Sequence, residues 1–228
     1  MKRFYKDVAV ENGAIRLDGR PVKTPARAML AIPYPALAEA VAAEWRAQGE
    51  TIDPRMMPLT GLANAALDRV ASDPHAFARP LAAYAEADLL CYRADHPAEL
   101  ATAEAAAWDP LLDWARTRYD VHFTLVAGLI HQPQPAATVA RLGEALLARD
   151  AFALAPLSPL VTIGGSLVIA LALAEGAIGA RAAFDTAHLD ELWQVEQWGE
   201  DALGTQAREQ RRADFLAAAR FLSLLDRA

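Results

Sequence analysis

The sequence predicts an α+β protein, with a small antiparallel β-rich N-terminal domain followed by a larger all-helical C-terminal domain. Short alternating segments with two hairpin signals occupy the beginning of the chain, whereas apolar residues recur at helical spacing from about residue 60 onward. No repeat of fixed period is present. We place the boundary so that residues 1–75 form the β-rich domain, with one or two helices, and residues 76–228 form the helical domain.

Four short segments are predicted strands: residues 4–10, 14–17, 21–24 and 29–32. Asn12-Gly13 separates the first two, and Asp18-Gly19 separates the second from the third. Asn-Gly and Asp-Gly favour the positive φ angles of two-residue hairpin turns. The pattern therefore predicts an antiparallel meander.

The first helix is expected to begin at Pro35 and to end at Gly49. Helical spacing places two polar residues and an aromatic residue on its inner stripe, which consists of Leu37, Val41, Glu44, Trp45 and Gln48. Thr60 is predicted to cap a helix that runs through residue 70, and Asp73-Pro74 marks the start of the next helix.

Helical spacing then continues almost to the end of the chain. The predicted helices cover residues 97–107, 109–119, 138–149, a pair within 151–175, 180–198 and 201–225. No charged residue lies between Asp150 and Glu175, which is a length sufficient to cross a bilayer. Pro156, Pro159 and Gly164 interrupt this segment, so we interpret it as a buried helical hairpin.

Charge and cysteine content restrict the classes of partner and compartment. Residues 1–80 hold 11 Lys and Arg against 9 Asp and Glu, whereas residues 81–228 hold 11 against 20. An acidic surface repels phosphate backbones and anionic lipid, so we expect neither nucleic acid nor membrane insertion. The single cysteine, Cys91, permits no intramolecular disulfide and fits a reducing compartment. The first residues lack the apolar core of a secretory signal.

Catalytic and cofactor motifs were sought without result. Gly164-Gly165-Ser166 resembles part of a nucleophile elbow, but Val168 stands where G-x-S-x-G needs glycine. There is no G-x-x-x-x-G-K-[ST] sequence to hold nucleotide phosphates. We interpret Cys91 as an inert core thiol. The five histidines are scattered along the chain, and we expect them to be surface or loop residues. We expect no enzyme, no cofactor and no metal site.

The segment 189–201 carries the most informative pattern. Helical spacing puts carboxylates on an apolar stripe that consists of Leu189, Leu192, Trp193, Glu196 and Glu200. Such carboxylates need a cationic partner, which is either an arginine within the fold or a cation on another protein. A second interpretation stays open, in which Glu196 pairs internally while Glu200 and Asp201 are solvated.

Several sequence blocks, in order along nearly the whole chain, carry a family resemblance. They are RFYKDV from residue 3, LDGRPVKTPA from 17, EW at 44–45, MPLT from 57, DLLCYRA from 88, WDPLLDW from 108 and LDELWQVEQWGED from 189. Together these blocks resemble the assembly chaperones of the F1 ATP synthase alpha subunit.

The resemblance implies an ATP-independent chaperone that binds the unassembled alpha subunit and prevents its aggregation until the beta subunit replaces it. It places the final motif at the functional surface. With the stripe residues, the predicted partner-binding set is Glu196, Trp193, Glu200, Asp201, Trp198, Trp45 and Glu44. We expect a monomer located in the bacterial cytoplasm, or in the mitochondrial matrix for a processed eukaryotic homologue.

Two other classes of function stay open at this point. A helical adaptor for another protein would share the acidic helices and would differ in the partner that it captures. A hydrolase or lyase using Glu196, Glu200 and Asp201 as acid and base groups would need a pocket and a raised carboxyl pKa.

Overall fold

A computed structural model describes residues 1–128, 130–199 and 202–225. The predicted α+β class is confirmed, because a small antiparallel sheet near the N-terminus precedes a long series of helices. The described residues form two compact units. The first unit comprises residues 1–77, 149–156 and those from 217 onward, and the second comprises 78–148 and 157–216. The division into domains 1–75 and 76–228 stays a prediction.

The N-terminal sheet has three strands in the order β1-β2-β3, which are β1 (Val8–Glu11), β2 (Ala14–Leu17) and β3 (Arg20–Pro21). All pairings are antiparallel, and Val10 lies opposite Ile15. The predicted meander is therefore confirmed over these strands. Residues 29–32 do not form the predicted strand, because they make only isolated bridges, with Ala31 opposite Ala14 and Met29 opposite Lys23.

Both predicted hairpin turns are present. Asn12 and Gly13 have φ angles of 50° and 78°, and Asp18 and Gly19 have φ angles of 47° and 76°. These are the positive values that two-residue turns of this class require. A Cβ on Gly13 would lie 2.5 Å from the carbonyl oxygen of Ile32, so glycine is needed there for space as well as for φ.

The helices of the described residues, in chain order, are α1 (Pro35–Arg46), α2 (Pro58–Ala65), α3 (Pro74–Ala82), α4 (Ala98–Tyr119), α5 (Ala136–Leu147), α6 (Ala151–Leu154), α7 (Leu157–Gly164), α8 (Leu167–Ala174), α9 (Ala180–Ala187), α10 (Leu189–Trp198) and α11 (Ala202–Ser223). Short 3₁₀ turns cover Pro54–Met56, Ala83–Glu86 and Leu89–Cys91, and a π-helical turn, Ala66–Val70, continues α2. Thr60 does not cap α2, because the helix begins at Pro58.

Two predicted helix boundaries are wrong for identifiable reasons. The two helices predicted over 97–107 and 109–119 form the single helix α4 (Ala98–Tyr119), which passes through Pro110. Proline in a helix interior costs about 3 kcal/mol, and the fully buried neighbours Trp108 and Leu112 offset that cost. Conversely, the predicted helix 180–198 divides at His188, whose ring stacks on Phe184 with centroids 3.9 Å apart. His188 was predicted as a surface or loop residue; it lies in the turn between α9 and α10 but is buried.

A short pair of parallel strands was not predicted. Strand β4 (Tyr92–Arg93) pairs with β5 (Val126–Ala127) in the second unit, with Tyr92 opposite Val126. Two-residue strands are too short to show an alternating pattern, so the sequence gives no signal for them.

The uncharged segment of the second unit packs as the predicted pair of buried helices. Helices α7 and α8 contact each other, and residues 167–173 of α8 are buried on every side. Gly165, with φ of 65°, makes the turn between them, and the Ser166 hydroxyl accepts the N–H of Ile169 at 3.0 Å. No helix of the described residues is long and apolar enough to cross a membrane.

A fully buried carboxylate holds the start of α8. Asp88 has no exposed surface, and its oxygens accept the N–H groups of Leu90 at 3.1 Å and Val168 at 3.0 Å. Burial raises the pKa of Asp88, while the Ser166 hydroxyl and these N–H groups oppose that shift. The nearby Cys91 thiol is buried, and this burial, together with the negative charge of Asp88, raises its pKa to about 12. The predicted core position of this thiol is thus confirmed.

Candidate functional site

Helix α10 carries the predicted site and lies at the surface of the second unit. Leu189, Leu192 and Trp193 are only half-buried, and none of its residues is fully buried. Glu196 is exposed, and its carboxylate makes no hydrogen bond or ion pair with any other residue that the structure describes. Its place in a partner-binding set stays a prediction.

Two aromatic residues flank this carboxylate on the same helix. The rings of Trp193 and Trp198 meet edge to face, with centroids 5.7 Å apart. Trp198 is 75% exposed, and Leu203, near the start of α11, is 79% exposed. Trp198 and Gly204, the neighbour of Leu203 in the chain, line the same small cavity, so Leu203 belongs to the same region of the second unit. We call Trp193, Glu196, Trp198 and Leu203 the α10 surface.

The exposure of Leu203 was not predicted from the sequence. Its position within a predicted amphipathic helix did not distinguish it from leucines of the core. The available signal was its place directly after the acidic motif, where a helix usually begins with polar residues. Glu200 and Asp201, which were predicted as partner-binding residues, lie outside the described residues.

A small cavity of about 240 Å³ adjoins the α10 surface. It is lined by Glu191, Gln194, Val195, Trp198, Gly199, Gly204 and Arg208. Glu191 is held by arginines of α11, since one of its oxygens lies 2.6 Å from Arg211 Nη2 and the other lies 3.7 Å from Arg208 Nη1. These ion pairs fix α10 against α11 and so position the exposed residues at its far end.

The other end of α10 is held by a buried carboxyl pair. Glu104 of α4 is buried, and its Oε2 accepts the N–H of Ala94 at 2.8 Å. Its Oε1 and Asp190 Oδ1 are both buried and receive no N–H or O–H group from the described residues. A proton on Glu104 would let these two atoms hydrogen-bond to each other. Burial raises the pKa of Glu104 and the Asp190 carboxylate raises it further, whereas the Ala94 N–H and Arg93 lower it.

This pair predicts a pH dependence of stability. A carboxyl whose pKa is raised in the folded state binds more protons in that state than in the unfolded state. Its contribution to the free energy of unfolding is therefore complete at pH values below its ordinary pKa, and it is lost as pH rises through the raised pKa of the folded state. Glu104→Gln keeps an acceptor for Ala94 and gains N–H donors for Asp190. Between pH 5 and pH 8 we expect the melting temperature of this variant to rise relative to wild type by about 2–4 °C, or about 1 kcal/mol.

Thermal melts of both proteins at each pH test this expectation. Arg93, which lowers the pKa of Glu104, pairs with Asp109, whose Oδ1 lies 2.7 Å from Arg93 Nη2. Both residues are present in both proteins, so their contribution to the melting temperature cancels in the difference. A difference in melting temperature that stays constant with pH would show that the carboxyl pair is not protonated as we describe.

Glu44 and Trp45 belong to the first unit, and their contacts there are intramolecular. The carboxylate of Glu44 accepts the N–H groups of Leu59 and Thr60, each at 2.8 Å, and the Thr60 hydroxyl at 2.7 Å. Burial raises the pKa of Glu44, and these hydrogen bonds oppose the shift. Trp45 packs on Tyr5 with ring centroids 5.8 Å apart. A role for these two residues in partner binding stays a prediction.

Comparison with known proteins identifies the family. Residues 2–116, half of the chain, match the family model described as ATP12 chaperone protein. The chain belongs to the ATP12 chaperone family. The family resemblance that the sequence blocks indicated is thus confirmed, and the chain is an ATP12 family chaperone.

Solved structures of ATP12 proteins share the whole fold. The chain is 40% identical to Atp12 from Paracoccus denitrificans, with a TM-score of 0.92 over 98% of this chain and 97% of that one. A mutant of the same protein, with an aspartate changed to lysine, gives the same values. A protein from Agrobacterium tumefaciens is 42% identical, with a TM-score of 0.92 over 97% of this chain and 85% of the other.

Proposed function

We propose that this ATP12 family member binds the unassembled alpha subunit of the F1 ATP synthase through the α10 surface and prevents its aggregation until the beta subunit replaces it. The observation that carries the proposal is the exposure of Trp198 and Leu203, together with that of Glu196, whose carboxylate has no partner among the described residues. Membership in the ATP12 family and the resemblance of the final motif support it.

The composition of this surface suits a protein partner. Tryptophan is enriched among the residues that dominate binding energy, because a large ring buries much apolar area at a small cost in side-chain entropy. Trp198 is 75% exposed, so its ring has most of its surface left to bury. A carboxylate beside such a ring gives a cation on the partner a defined place to bind.

The proposed mechanism needs no energy source. An alpha subunit that awaits its neighbours exposes an apolar interface, and a protein that binds this interface lowers the free concentration of the aggregating form by mass action. Release follows when the beta subunit competes for an overlapping surface. We propose that the chaperone acts as a monomer in the cytoplasm, or in the matrix for a mitochondrial homologue.

Substitution of Glu196 tests the proposed surface. Glu196→Gln removes one charge-assisted contact, so we expect binding of the alpha subunit to weaken by about 1–3 kcal/mol. Because the side chain is exposed, the melting temperature should stay within about 1 °C of wild type. Glu196→Lys should weaken binding further through repulsion of the partner cation. Co-purification of co-expressed alpha subunit, together with thermal melts, provides the measurement.

A matched control is available on another helix of the second unit. Glu144 of α5 is also exposed, and it has no ion pair with the described residues. Glu144→Gln and Glu144→Lys change the net charge equally and should leave binding unchanged. Equal losses at both positions would show that only overall charge matters, and normal binding by Glu196→Lys would remove this residue from the surface.

A further inference from the structure

A second candidate binding surface lies in the first unit, where a cavity of about 700 Å³ opens beside the sheet. Its apolar lining includes Phe4, Tyr5, Leu17, Val22 and Trp45. Tyr5 and Leu17 belong to a small hydrophobic cluster of this unit, and Val22 and Trp45 pack against that cluster. The cavity thus opens directly onto core side chains, and its volume is typical of a ligand-binding cleft.

One apolar residue at this cavity has little cover. Phe4 is 65% exposed, although its ring meets Tyr5 edge to face with centroids 5.5 Å apart. The backbone of this segment is held in place, because the N–H of Arg3 donates to the carbonyl of Glu50 at 2.8 Å. Phe4 is therefore presented from a fixed segment and extends the apolar floor toward solvent.

A polar group in the lining has no partner. The indole Nε1 of Trp45 is buried, and no acceptor among the described residues receives its N–H. The Tyr5 hydroxyl does not serve, because it donates to the carbonyl of Trp45 at 2.7 Å. Buried N–H groups in folded proteins nearly always find an acceptor. This nitrogen has almost no solvent-accessible surface, so it lies beneath the floor of the cavity and an occupant does not reach it.

Basic side chains lie at the rim of the cavity. Arg20 and Lys23 line it and are exposed, and neither forms an ion pair with the residues that the structure describes. The acidic lining residue, Asp18, is already engaged, since its Oδ1 accepts the N–H groups of Lys6 at 3.1 Å and Asp7 at 2.8 Å. These bonds lower the pKa of Asp18. The charges of Lys6 and Arg20 lower it as well, so Asp18 is an ionised carboxylate beside the two exposed cations.

We propose that this cavity binds a short segment of a partner polypeptide that carries an aromatic or large aliphatic side chain next to carboxylates. The apolar side chain would lie on Phe4 and Trp45, and the carboxylates would face Arg20 and Lys23. A nucleic acid does not fit this site, because the chain as a whole has a net charge of −7 and only two cations line the rim. The proposal does not depend on the α10 surface.

Selection from a random heptapeptide library displayed on phage, against the immobilised full-length chain, tests this inference. We expect the enriched peptides to combine acidic residues with an aromatic or leucine side chain. A fluorescent copy of the most enriched peptide should then bind in solution and shift the indole N–H signal that Trp45→Phe removes from the NMR spectrum.

Variants of the rim and the floor locate the bound peptide. Arg20→Glu combined with Lys23→Glu should weaken the peptide at least 10-fold, and Phe4→Ser should weaken it about 5-fold. Arg27→Glu serves as the control, because Arg27 is exposed in the same unit and does not line the cavity, and it should change binding less than 2-fold. Enrichment of basic peptides, no enrichment, or affinity that is unaffected by the rim variant would overturn the proposal.

Discussion

Asp88→Ala is expected to lower the free energy of unfolding by about 3–5 kcal/mol, the largest effect that we anticipate for a single substitution. Asp88 is fully buried and accepts N–H groups from Leu90 and Val168 as well as the Ser166 hydroxyl. Alanine would leave these donors buried without acceptors, and each such loss costs about 1–3 kcal/mol. The variant would also leave a small void at the start of the apolar helix α8.

Urea unfolding followed by circular dichroism measures this change. Asp88→Asn is the matched control, because it keeps the shape and one acceptor oxygen, so we expect it to lose clearly less stability than alanine. A loss below about 1 kcal/mol for Asp88→Ala would mean that water or a neighbouring group replaces the carboxylate. In that case the carboxylate does not hold the start of α8.

Glu44→Ala is expected to cost about 2–3 kcal/mol of unfolding free energy. The first N–H groups of a helix have no partner within the helix, and the carboxylate of Glu44 on α1 accepts those of Leu59 and Thr60 at the start of α2. It therefore serves as a cap supplied by another helix, and it also carries a charge that suits a helix N-terminus. Loss of an ordinary cap costs about 1 kcal/mol, and here three hydrogen bonds are lost.

Glu39→Ala provides the comparison for Glu44. Glu39 lies on the same helix, is exposed and pairs with Arg46, so its loss should cost less than about 1 kcal/mol. Equal stability of the two variants would contradict the capping role. If the Glu44→Ala variant instead had a normal melting temperature and bound the alpha subunit poorly, this result would support the prediction that Glu44 is a partner-binding residue.

The sequence predicted those elements of the fold that local chemistry specifies. Asn12-Gly13 and Asp18-Gly19 determine the hairpins because few other dipeptides adopt positive φ at low cost. Pro35 similarly marks the start of α1. The helix α4 was divided wrongly because Pro110 is a strong local signal, and only the buried surroundings of Trp108 outweigh it. The strands β4 and β5 depend on a pairing between distant segments, which local patterns do not record.

The candidate site was predicted in part for similar reasons. The motif around Glu196 was visible because carboxylates and tryptophans recur at helical spacing. Its exposure was not visible, because a period of 3.6 residues shows which residues share a face but not whether that face is covered. Asp88 and Glu104 were missed because an isolated acid in a sequence reads as a solvated residue. Only the structure shows the N–H donors and the second carboxyl that accompany them.

The supports of α10 relate the fold to the proposed function. Glu104 and Asp190 fix the beginning of this helix, and Glu191 is held by Arg208 and Arg211 of α11. A rigid helix presents Trp198 to a partner with little loss of conformational entropy on binding, which favours affinity. Damage to these supports should therefore weaken partner binding without any change in the exposed residues themselves.

The most direct test of the proposed function is the aggregation of purified alpha subunit, followed by light scattering after dilution from denaturant. With one equivalent of the chaperone and no nucleotide, the account predicts that scattering is suppressed and that a one-to-one complex elutes on gel filtration. Addition of beta subunit should then release the chaperone. Glu144→Lys should protect as well as wild type, whereas Glu196→Lys should protect poorly. Unchanged aggregation in the presence of excess folded chaperone, or protection that requires ATP, would contradict the account.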